Sequence, residues 1–294
     1  LHQSRGVVLD VATWNICGLT LSKIEAIIQD NYDMLALTEL GERPHESWEL
    51  DIKYPGRIFC SDPTDARDPA AGAAVILSKR MSKQLLAWDT QGTRIVWVRL
   101  RGAFYSTIFI SAYIPHKYRS NPSQEHTLQG LEKLCHNLQA RYPQDMIIIG
   151  TDANAKLSRS LPSVSGRYCM HYYNDTGGDR LMELMANAHL EAASTRFCPS
   201  KKHPQGQGTY ISPTGQVKQL DYILCSLKHR ANFLNCRVRW NRSLDEYGVK
   251  RDHGVVHMQL RYRIRVHKQD QSTQFDRTAL DDPIAAENFD HVVE

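Results

Sequence analysis

The sequence predicts an α/β protein built in layers. Nine apolar runs of strand length recur along the 294 residues, and three amphipathic helical stretches are spread unevenly among them. Because strands and helices do not alternate regularly, the pattern favours a layered α/β sandwich over a strict βαβ repeat. The length suits one large domain or two modest ones.

The predicted strands are rich in valine, isoleucine, threonine and aromatic residues, which favour extended chain. Residues 95–100 and 257–265 alternate between apolar and polar side chains, so we expect both to be half-buried. Residues 146–150 are continuously apolar and are expected in the centre of a sheet. The nine runs are 7–16, 33–40, 70–78, 94–100, 106–114, 145–153, 208–212, 219–226 and 255–264.

Apolar residues at helical spacing predict three helices, each with one buried face. The second has a clear start, because Asn121 can cap it, Pro122 stands at the first helical position and Gln124 can complete a capping box. The three apolar stripes are Leu21, Ile24, Ile27 and Ile28; Leu128, Leu131, Leu134, Cys135 and Leu138; and Leu181, Leu184, Met185 and Ala188.

Charge is distributed unevenly along the chain. Residues 267–294 hold two basic and seven acidic residues, a net −5, which leaves +9 on residues 1–266 of a chain with net charge +4. A basic body suits a polyanionic partner, although it also suits simple solubility. We therefore expect a folded domain over 1–263 and an acidic, flexible tail or linker over 264–294.

The sequence carries no sign of a membrane segment or a secretion signal. No apolar run approaches the roughly 20 residues that a membrane helix needs, and the first ten residues lack an apolar signal core. The seven cysteines are odd in number and form no C-x-x-C pair, so neither a disulfide framework nor a structural zinc site is expected. These features favour a protein of the reducing nucleus or cytoplasm. We expect it to be a monomer.

Polar side chains stand at the ends of the predicted strands. Each has an ordinary explanation when taken alone, because Asn and Asp are common turn residues after strands. Together they supply oxygen ligands for a hard cation, a base for water and donors for a phosphoryl group, as phosphodiester hydrolysis requires. They are Asn15, Glu39, Tyr113, Asp152, Asn154, Asp221, Asp252 and His253.

The order of these motifs resembles the endonuclease/exonuclease/phosphatase superfamily. The resemblance covers about residues 7–262 and is carried by TWNICGL, LTEL, SAYIP, GTDAN, LDYILCS and RDH. It implies a four-layered α/β sandwich, two mixed sheets packed face to face with helices outside, and an active site at one edge.

The resemblance also implies roles for single residues. Glu39 is similar to the main Mg²⁺ ligand, Asn15 belongs to the same environment, and Asp252 lies on the metal side. Mn²⁺ is expected to substitute for Mg²⁺. Thr209 resembles a threonine found near the phosphate in related nucleases, although that match is looser.

The remaining roles concern water and the phosphoryl group. Asp152 is similar to the residue that orients or deprotonates the attacking water, and Asn154 and Tyr113 to residues that hold phosphate oxygens. His253 would stabilise the pentacovalent phosphoryl group with Asp221 as its hydrogen-bond partner. A carboxylate beside an imidazole raises its pKa, so His253 is expected to keep its proton near neutral pH.

Four positions depart from the family pattern. Thr38 precedes Glu39 where Gln is usual, Thr151 stands where Gly is frequent, and Arg251 replaces a frequent Ser. Cys17 stands where abasic-site nucleases carry an acidic residue, which counts slightly against a repair role. No core group is lost, so catalytic activity is expected.

Two further segments resemble the endonuclease domain of non-LTR retrotransposons. They are residues 178–197, GDRLMELMANAHLEAASTRF, and residues 208–226, GTYISPTGQVKQLDYILCS. This resemblance implies nicking of double-stranded target DNA to leave a 3′-hydroxyl that primes reverse transcription. It also implies a reverse transcriptase domain downstream in the same polyprotein.

Basic residues near the strand ends are candidates for contact with DNA phosphates, and equally for solvated surface. We single out Lys117 and Arg119 beside His116, and Lys201 and Lys202 in the loop 199–208, which we expect to probe the minor groove beside Tyr210. Arg237, Arg239 and Arg242 alternate on or near a strand.

Two alternatives remain open at the level of sequence. One is another superfamily enzyme, such as an abasic-site repair nuclease, an RNA exonuclease or a small-molecule phosphatase. The other is a DNA-binding protein that has kept the fold without catalysis.

Overall fold

A computed structural model describes residues 4–19, 23, 27, 30–41, 48–49, 56–62, 71–116, 124–199, 206–240 and 252–265. Within these ranges the chain forms the following strands and helices. The strands are β1 Ser4–Asn15, β2 Met34–Thr38, β3 Trp48–Glu49, β4 Arg57–Cys60, β5 Ala73–Leu77, β6 Leu85–Gln91, β7 Ile95–Leu100, β8 Thr107–Tyr113, β9 Met146–Asp152, β10 Leu190–Ala192, β11 Tyr210–Ile211, β12 Val217–Lys218, β13 Asp221–Ser226, β14 Phe233–Arg239 and β15 Val255–Arg265. The α-helices are α1 Lys79–Ser82, α2 Gln124–Arg141 and α3 Thr176–Asn187, and 3₁₀ turns span Ala193–Thr195 and Leu227–Asn232.

The strands form two mixed sheets and a small hairpin. The seven-stranded sheet has the order β14-β15-β1-β2-β5-β4-β3, and the six-stranded sheet has the order β10-β13-β9-β8-β7-β6. Both sheets are mixed because β1 runs parallel to β2 and β8 parallel to β9, while their other neighbours are antiparallel. The pair β11 and β12 forms the separate hairpin.

Three buried hydrophobic layers hold this arrangement together. The central layer joins the facing sides of the two sheets, with Val11, Phe109 and Met258 among its members. A second layer packs α2 and α3 on the six-stranded sheet, and a third covers the outer face of the seven-stranded sheet. The layered α/β sandwich predicted from the sequence is thus confirmed.

The helices follow the predicted stripes where the structure describes them. Leu128, Leu131 and Leu138 of α2 and Leu181 and Leu184 of α3 are buried on the six-stranded sheet. Most of the first predicted helix lies outside the described residues, as do Asn121 and Pro122. The side chain of Gln124, predicted to complete a capping box, donates to the Asn154 carbonyl at 3.2 Å. Among the described helices, none is long and apolar enough to cross a membrane.

The expected half-burial of residues 95–100 was wrong. Ile95 and Trp97 pack beneath the helices, while Val96, Val98 and Leu100 pack between the sheets, so both faces of β7 are covered. The prediction was right for β15, in which Arg261 and Arg263 alternate with buried residues, and for β9, which is central. β15 continues to Arg265, two residues beyond the expected domain boundary, and 266–294 lie outside the described residues.

Candidate active site

The two sheets bring their polar strand ends to one edge of the sandwich. β8 and β9 are parallel and in register, so Tyr113 and Asp152 end side by side. β13 runs antiparallel to β9, which places its first residue, Asp221, opposite Asp152. In the other sheet, β1 and β2 are parallel and end at Asn15 and Thr38, next to Glu39.

His253 enters this edge just before β15 and is fixed by its neighbours. The Trp14 indole nitrogen donates to the His253 carbonyl at 3.2 Å, and the Gly254 amide donates to the Thr209 carbonyl at 2.7 Å. The ring of Tyr210 lies 4.9 Å from the His253 ring, centroid to centroid. These contacts hold a buried imidazole in one orientation.

His253 and Asp221 form a buried ion pair. Nδ1 of His253 lies 2.9 Å from Oδ2 of Asp221, whose side chain is fully buried. Burial lowers the pKa of His253, but the adjacent Asp221 carboxylate outweighs burial and, with Asp152 and Asp252, raises that pKa to about 10. The imidazole is therefore a cation at neutral pH and can donate a hydrogen bond to an anion from Nε2.

Asp152 lies between two asparagine side chains. Its Oδ2 accepts from Nδ2 of Asn15 at 2.9 Å and from Nδ2 of Asn154 at 3.2 Å, and its Oδ1 accepts from the Asn154 amide at 3.1 Å. Burial, with Asp221 and Glu39 nearby, raises the pKa of Asp152 well above its usual range, while the His253 cation opposes the rise. A raised pKa makes the carboxylate a better acceptor of a proton from water.

Three residues of this edge adopt left-handed backbone conformations that non-glycine residues rarely take. The φ angles are 56° at Glu39, 49° at Cys17 and 44° at Asn154. Such conformations cost on the order of 1 kcal/mol or more each, so the surrounding structure must impose them. Around Cys17 the Lys23 ammonium does so by donating to the carbonyls of Ile16 and Cys17 at 2.7 and 3.2 Å.

A cleft of about 480 Å³ opens in front of this edge. Its floor includes His253 and Asn154, and the partly exposed carboxylates of Glu39 and Asp252 lie on its wall. The lining residues are Glu39, Tyr113, His116, Asn154, Lys156, Asp175, Tyr210, Lys218, Leu220, Asp252 and His253.

Two groups of residues in this region could hold a divalent cation. The ligating atoms of Asp152, Asp221 and His253 all lie within 4.8 Å of one another. However, His253 and Asp221 are already bonded to each other, and a protonated imidazole does not bind a metal. Glu39 and Asp252 instead offer carboxylate oxygens at the cleft wall, which fits a hard cation such as Mg²⁺ better.

Comparison with solved structures identifies the fold. The 3′-phosphatase NExo from Neisseria, bound to a product DNA hairpin, aligns over 86% of this chain and 99% of its own with a TM-score of 0.57 at 17% identity. The endonuclease domain of TRAS1, a telomere-specific non-LTR retrotransposon, aligns over 87% and 99% with a TM-score of 0.56 at 16% identity. The AP endonuclease LMAP from Leishmania major aligns over 87% and 88% with a TM-score of 0.54 at 15% identity. The chain has the endonuclease/exonuclease/phosphatase fold.

Sequence comparison also finds a curated relative of this chain. Craniofacial development protein 2 from Bos taurus is 26% identical over 236 residues, which cover 78% of this chain. The chain spans about 38% of the length of that curated relative. No protein-family model matches the sequence.

On the endonuclease/exonuclease/phosphatase fold, most of the predicted site residues come together. Asn15, Asp152, Asn154, Asp221 and His253 are joined by direct contacts. Glu39, Tyr113 and Asp252 line the cleft. Asn15 is 2% exposed; its amide oxygen accepts from the Cys17 amide and its amide nitrogen donates to Asp152, so it positions that carboxylate.

Thr209 was predicted near the phosphate, and the structure corrects this. The side chain is fully buried, and its hydroxyl accepts from the amides of Leu220 at 2.9 Å and Asp221 at 3.0 Å. Thr209 therefore positions the start of β13, and with it the Asp221 carboxylate, because its hydroxyl oxygen holds these two backbone amides. Lys117, Arg119, Lys201 and Lys202 lie outside the described residues, as does most of the loop 199–208.

The structure adds cleft residues that sequence reasoning missed. Lys156 and Lys218 place two ammonium groups on the cleft, and Asp175 lies beside Lys156. Lys156 could have been found from its position two residues after Asn154. Lys218 could not, because only the pairing of β11 with β12 brings it opposite Tyr210.

Proposed function

We propose that this chain is a divalent-metal-dependent endonuclease that hydrolyses phosphodiester bonds of double-stranded DNA. The observation that carries the proposal is the buried ion pair of His253 and Asp221 beside Asp152, at the floor of a cleft with carboxylates and lysines on its walls. This arrangement supplies a cation for a phosphoryl group and a base for water in one place.

The cation is assigned to Glu39 and Asp252. When bound, Mg²⁺ or Mn²⁺ would neutralise nonbridging phosphate oxygens and lower the pKa of a bound water. Both carboxylates are partly exposed on the cleft and supply oxygen ligands, which suits either ion.

The chain's own residues stabilise the phosphoryl group and activate the attacking water. His253 donates from Nε2 to a phosphoryl oxygen, and Asp221 keeps that imidazole charged and oriented. Asp152, aligned by Asn15 and Asn154, orients the attacking water and accepts its proton. Tyr113 lines the cleft beside a guanidinium, with Cζ of Arg94 5.4 Å from the ring centroid, and holds a phosphate oxygen.

DNA is the favoured substrate for two reasons. Lys156 and Lys218 put positive charge on the cleft, which suits the phosphates on either side of the scissile bond. The structural relatives include proteins described as a 3′-phosphatase bound to a DNA hairpin, a retrotransposon endonuclease domain and an AP endonuclease.

A finer proposal is that the nick leaves a 3′-hydroxyl from which a downstream reverse transcriptase domain of the same polyprotein begins synthesis. It is supported by the likeness of residues 178–197 and 208–226 to retrotransposon endonucleases and by the fold shared with TRAS1. Extension of the nicked product by a DNA polymerase tests the chemistry of the end, because a 3′-phosphate would block synthesis.

The decisive experiment is nicking of supercoiled plasmid with Mg²⁺ or with EDTA. We expect open circles with Mg²⁺ only, and loss of about 10²-fold or more in rate for His253→Ala, because one donor to the developing charge is removed. Glu39→Gln should lose activity and regain part of it at raised metal concentration, because one metal ligand has lost its charge.

Two control variants make the result specific. His253→Gln keeps an N–H donor without the charge and should also be slow, since the charge makes the donor effective. His136→Ala removes an exposed imidazole from α2 and should nick at the wild-type rate. Equal nicking by His253→Ala and wild type would overturn the assignment of His253 as the donor to the phosphoryl group. If wild type does not nick, intact duplex DNA is not the substrate, and abasic DNA, RNA and small phosphoesters are the substrates to test next.

A further inference from the structure

Two neighbouring exposed tyrosines shortly precede Asp175, a residue that lines the cleft. Tyr172 is 87% exposed and Tyr173 is 84% exposed, the highest values among the large hydrophobic and aromatic side chains for which exposure is described. Large aromatic side chains usually bury most of their surface, and paired exposed rings often belong to binding surfaces. Neither ring is used in the proposed hydrolytic steps.

The segment that carries the two rings is firmly held at both ends. On one side, the Gln219 amide donates to Nε2 of His171 at 3.2 Å, and the Met170 amide donates to Oε1 of Gln219 at 3.1 Å. Gln219 is fully buried, so this anchor belongs to the interior. The next residue, Leu220, lines the cleft.

On the other side, Asn174 and Asp175 fasten the segment to the chain that follows Asn154. Oδ1 of Asn174 accepts from the Ser158 amide at 2.7 Å, and Oδ1 of Asp175 accepts from the Lys156 amide at 3.1 Å. Asp175 also caps α3 by accepting from the Gly178 amide at 2.8 Å. The two tyrosines are therefore the residues between two anchors, held outward by the structure.

The backbone of the segment that carries these rings comes close to the cleft. Asp175 lines the cleft, and three residues of extended chain span at most about 11 Å, so Tyr172 and Tyr173 lie within a few nucleotides of it. Lys156, fastened to Asp175, places an ammonium group on the same wall. Rings beside cationic groups form the combination that binds bases by stacking and phosphates by charge.

We propose that Tyr172 and Tyr173 form a stacking platform for unpaired DNA bases next to the scissile phosphate. The inference rests on the proposed function and specifies the substrate further, as DNA whose bases are unstacked beside the cut. A paired duplex presents its base edges in the grooves, and only an unpaired base offers a face for a ring to cover.

The test compares two DNA substrates in EDTA, so that binding is measured without cleavage. One is a plain duplex, and the other has the same sequence with a short mismatched bubble. We expect wild type to prefer the bubble, and the double variant Tyr172→Ala/Tyr173→Ala to lose roughly tenfold or more in affinity for it while keeping its affinity for the duplex.

Two control variants separate stacking from other effects. Tyr172→Phe/Tyr173→Phe keeps both ring faces and should retain the preference for the bubble. Phe104→Ala removes another ring, 70% exposed, from the turn before β8, at the opposite end of that strand from Tyr113 and roughly 20 Å or more away. It should bind both substrates as wild type does.

The outcomes distinguish the two proposals. If wild type nicks plasmid but the alanine variant binds the bubble as tightly as wild type, the stacking platform is overturned and the endonuclease stands. An equal loss on both substrates also overturns it, because the rings would then contact the backbone. If wild type neither binds nor nicks DNA, the proposed function itself fails.

Discussion

The ion pair of His253 and Asp221 combines two opposing electrostatic effects. Burial alone would favour a neutral imidazole, yet the adjacent carboxylate makes the charged form the stable one. Asp221 in turn is placed by the Thr209 hydroxyl, which accepts from its amide. The fully buried Asp221 carboxylate thus keeps the His253 imidazole, which lines the cleft, positively charged.

Replacing Asp221 with Asn should lower the pKa of His253 from about 10, because the largest influence that raises it is removed while burial persists. The pKa is measured directly by following the imidazole nitrogens in NMR spectra as the pH is raised. Asp252→Asn is the matched control, since Asp252 has a smaller influence on His253, and it should lower the pKa less. An unchanged pKa in Asp221→Asn would contradict this account.

The same pair gives stability a definite dependence on pH. His253 has a pKa of about 10 in the folded chain, against 6.5 for an ordinary histidine, so between these values the folded chain holds a proton that the unfolded chain releases. The contribution of the pair is fully present below pH 6.5 and is lost as the pH rises through 10. Urea unfolding across this window should show a steeper decline for wild type than for Asp221→Asn.

At the scale of elements, the approach of the two sheets depends on a glycine next to the site. Gly150 in β9 faces β1 and β2, and a Cβ atom there would lie 2.5 Å from Cβ of Ala36 and 2.9 Å from Cβ of Thr13. Real Cβ contacts are not this short, so the sheets meet closely only because this position lacks a side chain. Asp152 follows two residues later in the same strand.

Gly150→Ala should therefore destabilise the fold by about 1–3 kcal/mol, since one methyl group forces the sheets apart. Urea unfolding gives the free energy change. Gly6→Ala is the matched control, because no atom lies within 4 Å of its added Cβ and its backbone needs no positive φ. The control should stay within about 0.5 kcal/mol of wild type, and equal stabilities for the two variants would contradict this account.

The sequence predicted those elements whose residues carry a local pattern. Apolar runs gave the central strands, and helical spacing gave α2 and α3. The edge strand β6 was missed because only its first four residues are apolar and Asp89, Thr90 and Gln91 interrupt the pattern. β7 was misjudged because its burial depends on what packs on each face. A pattern within one segment cannot report how a distant segment covers it.

The residues of the candidate site also fall into two groups, those with a local sequence pattern and those placed by contacts with distant segments. Residues at strand ends, such as Asp152 and His253, could be named from their motifs, and their meeting was implied by the family resemblance. The burial of Thr209 and the protrusion of Tyr172 and Tyr173 could not be predicted, because each depends on hydrogen bonds to segments far along the chain. Tertiary contacts decide these features.

At the scale of the whole molecule, the topology gathers the chemistry at one edge. Each sheet contributes strands that end there, so residues from 15 to 253 meet around one cleft. The charge of the chain bears on the proposed binding of DNA at that cleft. Residues 1–266 carry +9 and residues 267–294 carry −5, so the two parts act on a polyanion in opposite directions.

Neutralising the seven acidic residues of 267–294 as Asn or Gln should therefore tighten DNA binding at low salt. The substitutions remove negative charge that repels the phosphates. Affinity measured by fluorescence anisotropy should exceed that of wild type at about 0.05 M salt and converge with it toward about 0.5 M, because screening shortens the reach of the repulsion.

A variant that exchanges Asp and Glu at the same seven positions keeps the charge and should match wild type at every salt concentration. A gain that persists unchanged at high salt would mean that the new amides contact DNA directly, and no gain at low salt would mean that this segment's charge does not reach the DNA.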